Sequence, residues 1–175
     1  MPRLLPTNLQ MLALIEFFAK PKAQSYQQCM LSGIWLGVAI SAIATLLALI
    51  CFGFSQLVSD RVAAPTEAVT LSLIDIAGYI LAAPVIETLL LTACLGAIER
   101  LGRSVQIACI VMAALAATLH SLMDPLRFLP MFSSFYLFSL NYFTWRNGLK
   151  YGGFLAALVP HIVLNAVAMT LVTFS

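Results

Sequence analysis

Residues 68–97 read AVTLSLIDIAGYILAAPVIETLLLTACLGA, a run of 30 in which only Asp75 and Glu87 carry charge. How this run crosses an apolar layer decides the fold. At about 1.5 Å per residue it can traverse a hydrocarbon core once, with tilt or a kink, but not twice. A single crossing gives the chain an odd number of spans and sets the sidedness of every loop that follows.

The chain around it has 175 residues, 62% hydrophobic, against ~45–50% in an ordinary soluble domain. Charged residues make up 9% where ~25% is usual, and the mean hydropathy is +0.99. That is too little charge to clothe a soluble globule, to keep a chain disordered or to grip nucleic acid. A net charge of +2 implies no acidic partner; the partner implied is a lipid bilayer.

Charge-free gaps cover residues 23–59, 104–123, 128–145 and 151–175, and each accommodates one span of ~20 residues. The first gap opens on the polar Gln24-Ser25-Tyr26-Gln27-Gln28, so its span is expected from Met30 to Val58. This divides an N-terminal segment, 1–28, from a membrane domain, 29–175. Counting 68–97 once, the expected fold is all-α, a polytopic bundle of five transmembrane spans.

The loops agree with five. With the N-terminus inside, inner segments hold seven basic residues (Arg3, Lys20, Lys22, Arg100, Arg103, Arg146, Lys150) and outer ones two (Arg61, Arg127). Splitting 68–97 into two spans would reduce that bias to four against five. The expected N-terminus is therefore cytoplasmic and the C-terminus outside.

Smaller features fill in the frame. Leu9, Leu12, Ile15 and Phe18 recur at helical spacing, which predicts a short amphipathic helix over Asn8–Lys20 at the inner interface. No h-region or cleavage site marks a signal peptide. The four cysteines are scattered and read as small membrane-core residues. Gly33, Gly37, Ser41 and Thr45 form a small-residue stripe for close helix contact.

Ionisable groups inside a span are costly, roughly 2.5–3.5 kcal/mol for an Asp, Lys or Arg at a helix centre, and are functional candidates by default. Four polar residues stand out: Glu87, His120, His161 and Asn165. Both histidines of the protein fall inside spans, and no Lys or Arg does. The partner expected for Glu87 is therefore a histidine or water. Counted from the cytoplasmic helix ends at about 1.5 Å per residue, Glu87 lies about 18 Å deep, His161 about 16 Å, Asn165 about 22 Å and His120 about 25 Å. Pro84 lies one turn before Glu87 and Pro160 immediately before His161, where each disturbs the backbone ladder. Asp75, nearer the outer end, stands apart.

A carboxylate and a histidine facing each other across a water form a general base. A second histidine and an asparagine can donate hydrogen bonds to the oxyanion of a tetrahedral intermediate, one such donor being worth about 10²–10³ in rate. The set suits hydrolysis of an amide bond at membrane depth, without a cofactor. It also suits, less well, a zinc site of Glu87, His120 and His161 holding a metal-bound water.

At these residues the chain resembles the CPBP intramembrane proteases, which include the CAAX prenyl endopeptidases and bacteriocin-processing or self-immunity membrane proteins. That family shows Glu-Glu-x-x-x-Arg, often after Pro, then Phe-x-x-x-His, then His-x-x-x-Asn or Asp. Here Pro84-Val-Ile-Glu87-Thr88-Leu-Leu-Leu-Thr92 occupies the first place, Ala116-Ala-Thr-Leu-His120 the second and His161-Ile-Val-Leu-Asn165 the third. Thr88 replaces the second Glu, Thr92 the Arg and Ala116 the Phe. The resemblance implies that Glu87 and His120 activate water and that His161 and Asn165 hold the oxyanion. It further implies a multi-pass protein of a bacterial inner membrane, with a membrane-anchored peptide or protein as substrate. Two other readings stay open: an inactive membrane partner or immunity protein of the same fold, and a small proton-coupled transporter using Glu87 and the histidines as a relay.

Overall fold

The structure, a computed structural model, describes residues 25–58 and 72–173. Within them the chain forms five main helices and no strand. Helix α1 runs Tyr26–Val58, α2 Leu73–Arg100, α3 Val105–Ser121, α4 Phe128–Trp145 and α5 Gly152–Thr173. These correspond one to one with the five expected spans, and residues 73–97 of the deciding run fall on a single helix. Three stretches are long and apolar enough to cross a bilayer: Tyr26–Gln56, Leu73–Arg100 and Gly152–Leu171. Helix α3 is apolar but shorter, and α4 carries Ser133, Ser134, Ser139 and Asn141 among its aromatics. The amphipathic helix expected over Asn8–Lys20 lies outside the described residues.

Helix limits follow local hydrogen bonding. Helix α1 starts at Tyr26, a turn before Met30, because Ser25 and Gln28 cap it reciprocally. Ser25 Oγ accepts from the Gln28 amide and Gln28 Oε1 accepts from the Ser25 amide, both at 3.2 Å. The polar stretch expected to precede the span is thus its first turn, and the boundary drawn at 28/29 falls inside a helix. The same device opens α2: Ser72 Oγ accepts from the Asp75 amide, and Asp75 Oδ2 accepts from the Ser72 amide. Asp75 is a cap, apart from the other polar groups. Helix α2 closes on Gly102, whose φ of +69° suits a residue without Cβ. Ser104 then caps α3.

The helix ends sort into two sets. Tyr26 Oη donates to Lys150 O at 2.8 Å, Cys29 Sγ approaches Gly152 O, and Arg146 pairs with Glu99. The start of α1, the end of α2, the end of α4 and the start of α5 therefore share one end of the bundle, as alternating crossings require. Arg100, Arg146 and Lys150 sit at this end.

Small residues line much of the interior beside a few large ones such as Phe138, Ile40 and Leu95, and many large apolar residues face outward. Ala108, Ala113, Ala117, Ala156 and Ala157 are buried, whereas Trp35, Leu46, Leu49, Leu90 and Leu119 are exposed. Lipid offers no hydrophobic drive between helices, so close backbone approach supplies the packing. A Cβ at Gly37 would lie 2.6 Å from Val163 Cβ and 2.9 Å from Pro160 Cα; one at Gly33 would lie 2.9 Å from Val159 Cβ. The glycine stripe thus seats α1 on the turn of α5 that carries His161. Gly37→Leu is expected to push α1 off α5 and destabilise the fold by about 1–3 kcal/mol. Gly53 faces open space, so Gly53→Leu should leave the denaturation midpoint unchanged. Equal effects from the two variants would disprove this seating.

Candidate active site

Three helices deliver one cluster. Helix α2 turns Pro84, Thr88, Leu91 and Leu95 inward, which places Glu87 at the edge of its buried face. Helix α3 brings His120 in its last turn, above the buried Ala113, Ala116 and Ala117. Helix α5 brings His161 directly after Pro160. Glu87 Oε2 lies 3.5 Å from His120 Nε2 and 3.4 Å from His161 Nε2. One carboxylate oxygen is therefore shared by two imidazoles.

The cluster is closed on one side and open on the other. The His161 side chain is 4% exposed, whereas Glu87 and His120 keep 31% and 33%. The His161 ring is held on several sides. Its Nδ1 lies 3.4 Å from Thr88 Oγ1, Phe138 stacks on it at 4.9 Å, and Phe135 meets it edge-on at 5.5 Å. Phe135 also packs on His120 at 5.6 Å. A Thr88 hydroxyl that donates to Nδ1 leaves the ring proton on Nε2, the nitrogen facing Glu87.

Of the four residues singled out from sequence, Glu87, His120 and His161 come together. Asn165 lies one turn beyond His161 and makes its hydrogen bond elsewhere: Nδ2 donates to Tyr79 O of α2 at 2.9 Å. The depth count placed His120 about 7 Å beyond Glu87 at about 1.5 Å per residue, yet the two side chains meet. An axial count omits helix tilt and the reach of the side chains. The contacts of Thr88, Phe135 and Phe138 with His161 are not visible in the sequence. The phenylalanines do recur at helical spacing, but in so apolar a chain that pattern reads as core.

Thr92 takes no part in the cluster. Its hydroxyl donates to Leu89 O at 3.1 Å, and the residue lines a separate cleft of about 450 Å³ with Tyr142, Arg146 and Tyr151. Among the described residues no group of three or more His, Cys, Asp and Glu is placed to hold a metal ion. No family model, no curated protein and no solved structure matches the chain. The chemistry has to be read from the cluster itself.

Thr88 tests whether that cluster is held as described. Thr88→Val keeps the volume and strips the partner from a nitrogen of the buried His161 ring, an expected loss of about 1–3 kcal/mol. Thr88→Ser should retain most of the stability. Denaturation midpoints of the two variants measure the difference, and a Val variant as stable as wild type would remove Thr88 from the site.

Proposed function

We propose that the chain is an intramembrane peptidase that hydrolyses a peptide bond of a membrane-anchored peptide or protein. The observation that carries this reading is the Glu87 carboxylate, set between imidazoles from two other helices and open on one side. A water in that opening can give its proton to Glu87 as its oxygen attacks the scissile carbonyl carbon. His120, the more exposed imidazole, orients the same water. The oxyanion that forms can accept a hydrogen bond from Nε2–H of His161. Collapse of the tetrahedral intermediate breaks the C–N bond, and Glu87 returns its proton to the leaving amine. His120 lies one residue from the end of α3, with the Leu122–Asp124 turn just beyond it; this gives water a short route in from that end of the bundle.

The resemblance to CPBP proteases at Glu87, His120 and His161 supports the same reading. It assigns Asn165 to the oxyanion as well, a role open only to the amide N–H that Tyr79 O does not hold. In the proposed orientation the end bearing Arg100, Arg146 and Lys150 faces the cytoplasm of a bacterial inner membrane. An enzymatic reporter joined to the C-terminus is then expected to be active only outside. Activity inside would reverse the orientation.

The decisive variant is Glu87→Gln. It is expected to abolish cleavage of a co-expressed membrane-anchored substrate, by at least about 10²-fold, while the protein accumulates at its normal level. Persisting cleavage would falsify the assignment. Purified active protein is expected to keep its activity in chelator. Stoichiometric zinc, lost together with activity, would replace the metal-free mechanism with the zinc alternative.

A further inference from the structure

Pro84 and Pro160 both lie inside helices, and each removes an amide N–H on which a carbonyl of the preceding turn would depend. In α5 the carbonyl left over is Ala156 O, four residues before Pro160. It accepts a hydrogen bond from Asn141 Nδ2 of α4 at 2.6 Å.

In α2 the geometry differs but the outcome is the same. Residues Gly78–Ala82 form a π turn in which the Ala83 amide bonds Gly78 O, five residues back. Tyr79 O thereby loses the donor four residues on. The residue five on is Pro84, which has no N–H. Tyr79 O accepts instead from Asn165 Nδ2 of α5. Asn141 and Asn165 are the two helical asparagines among the described residues, and each caps a carbonyl that a proline leaves open. An uncapped carbonyl in hydrocarbon has no water to turn to.

The two bonds join α2 to α5 and α4 to α5, and they bracket His161: Ala156 precedes it by five residues and Asn165 follows by four. Between them the same ring meets Glu87 and Thr88 of α2 and Phe138 of α4. We propose that Asn165 and Asn141 are positioning residues of the active site, surrogate backbone donors for Pro84 and Pro160 that fasten α2 and α4 to α5 and so hold Glu87 against His161. For Asn165 this replaces the oxyanion role. The catalytic consequence rests on the peptidase reading; the clamp itself does not.

The two roles respond oppositely to the proline. Asn165→Ala is expected to lower kcat by roughly tenfold to a hundredfold with little change in KM, as a misplaced reacting group does. Pro84→Ala restores a full amide ladder, so Tyr79 O regains a backbone donor and no longer needs the carboxamide. The Pro84→Ala/Asn165→Ala double variant should therefore match Pro84→Ala alone. An oxyanion donor cannot be replaced in this way. A folded double variant as impaired as Asn165→Ala, relative to Pro84→Ala, would overturn the proposal for Asn165. Pro160→Ala should rescue Asn141→Ala in the same manner and should fail to rescue Asn165→Ala; failure of the first rescue would remove Asn141.

A second readout needs no substrate. Tyr79-Ile80 is the one Tyr-Ile pair in the sequence, so carbonyl-13C tyrosine with 15N isoleucine isolates the Tyr79 carbonyl in solid-state NMR of the full chain in bilayers. Its resonance is expected to move upfield in Asn165→Ala as the hydrogen bond is lost, and to return in the double variant. An unchanged resonance would sink the clamp. A resonance that moves as expected in a protein that cleaves nothing upholds the clamp and strikes only the peptidase reading.

Discussion

Inside a hydrocarbon layer a carboxylate finds no solvent to stabilise it and must take its partners from the protein. Glu87 takes two, and among the described residues both of its ion-pair partners are imidazoles. That requirement organises the bundle. Histidines from α3 and α5 can reach one oxygen of α2 only if three helix backbones approach closely. The buried alanines of α3 let it pack closely into the bundle, chiefly on α4. The Gly33 and Gly37 stripe seats α1 behind the turn of α5 that bears His161. Small residues at these helix contacts leave room for a polar cluster, which Phe135 and Phe138 then enclose on one side.

The two mid-helix prolines, both buried, interrupt the amide ladders of α2 and α5, and each leaves a carbonyl without its usual donor. The carboxamides of Asn141 and Asn165 take up those carbonyls from neighbouring helices. The interrupted ladders of α2 and α5 are thus turned into cross-links between helices, and Tyr79 O and Ala156 O both keep a partner. His161 stays enclosed while Glu87 and His120 remain accessible, the asymmetry that the proposed water activation needs.

The sequence makes some of this legible and hides the rest, for physical reasons. Spans are legible because ionised groups avoid hydrocarbon: the charge-free gap at 128–145 coincides with α4, and residues 73–97 lie on one helix. The start of α1 is not, because Ser25 and Gln28 look like loop residues until their reciprocal bonds are seen. Glu87, His120 and His161 stand out by rarity, since a chain this apolar places so few ionisable groups in its spans. Thr88, Phe135 and Phe138 do not stand out, because a threonine or phenylalanine in a membrane helix contrasts with nothing. Tyr79 O is the least visible of all, a backbone acceptor with no letter of its own. Asn165 follows His161 by four residues, on the same side of the helix, but its partner depends on a π turn that no side-chain pattern announces.

Thr88 and Thr92 belong to the same logic. Thr88 is enclosed, at 1% exposure, whereas Thr92 bonds its own helix at Leu89 O and lines a separate cleft. A second carboxylate at 88 would be a buried charge beside Glu87, and a buried charge without its own partner is costly. What stands at 88 is a hydroxyl, small and neutral, within reach of His161 Nδ1. It can orient the ring without bringing another charge into the interior, and it leaves Glu87 as the carboxylate for which both imidazoles are arranged.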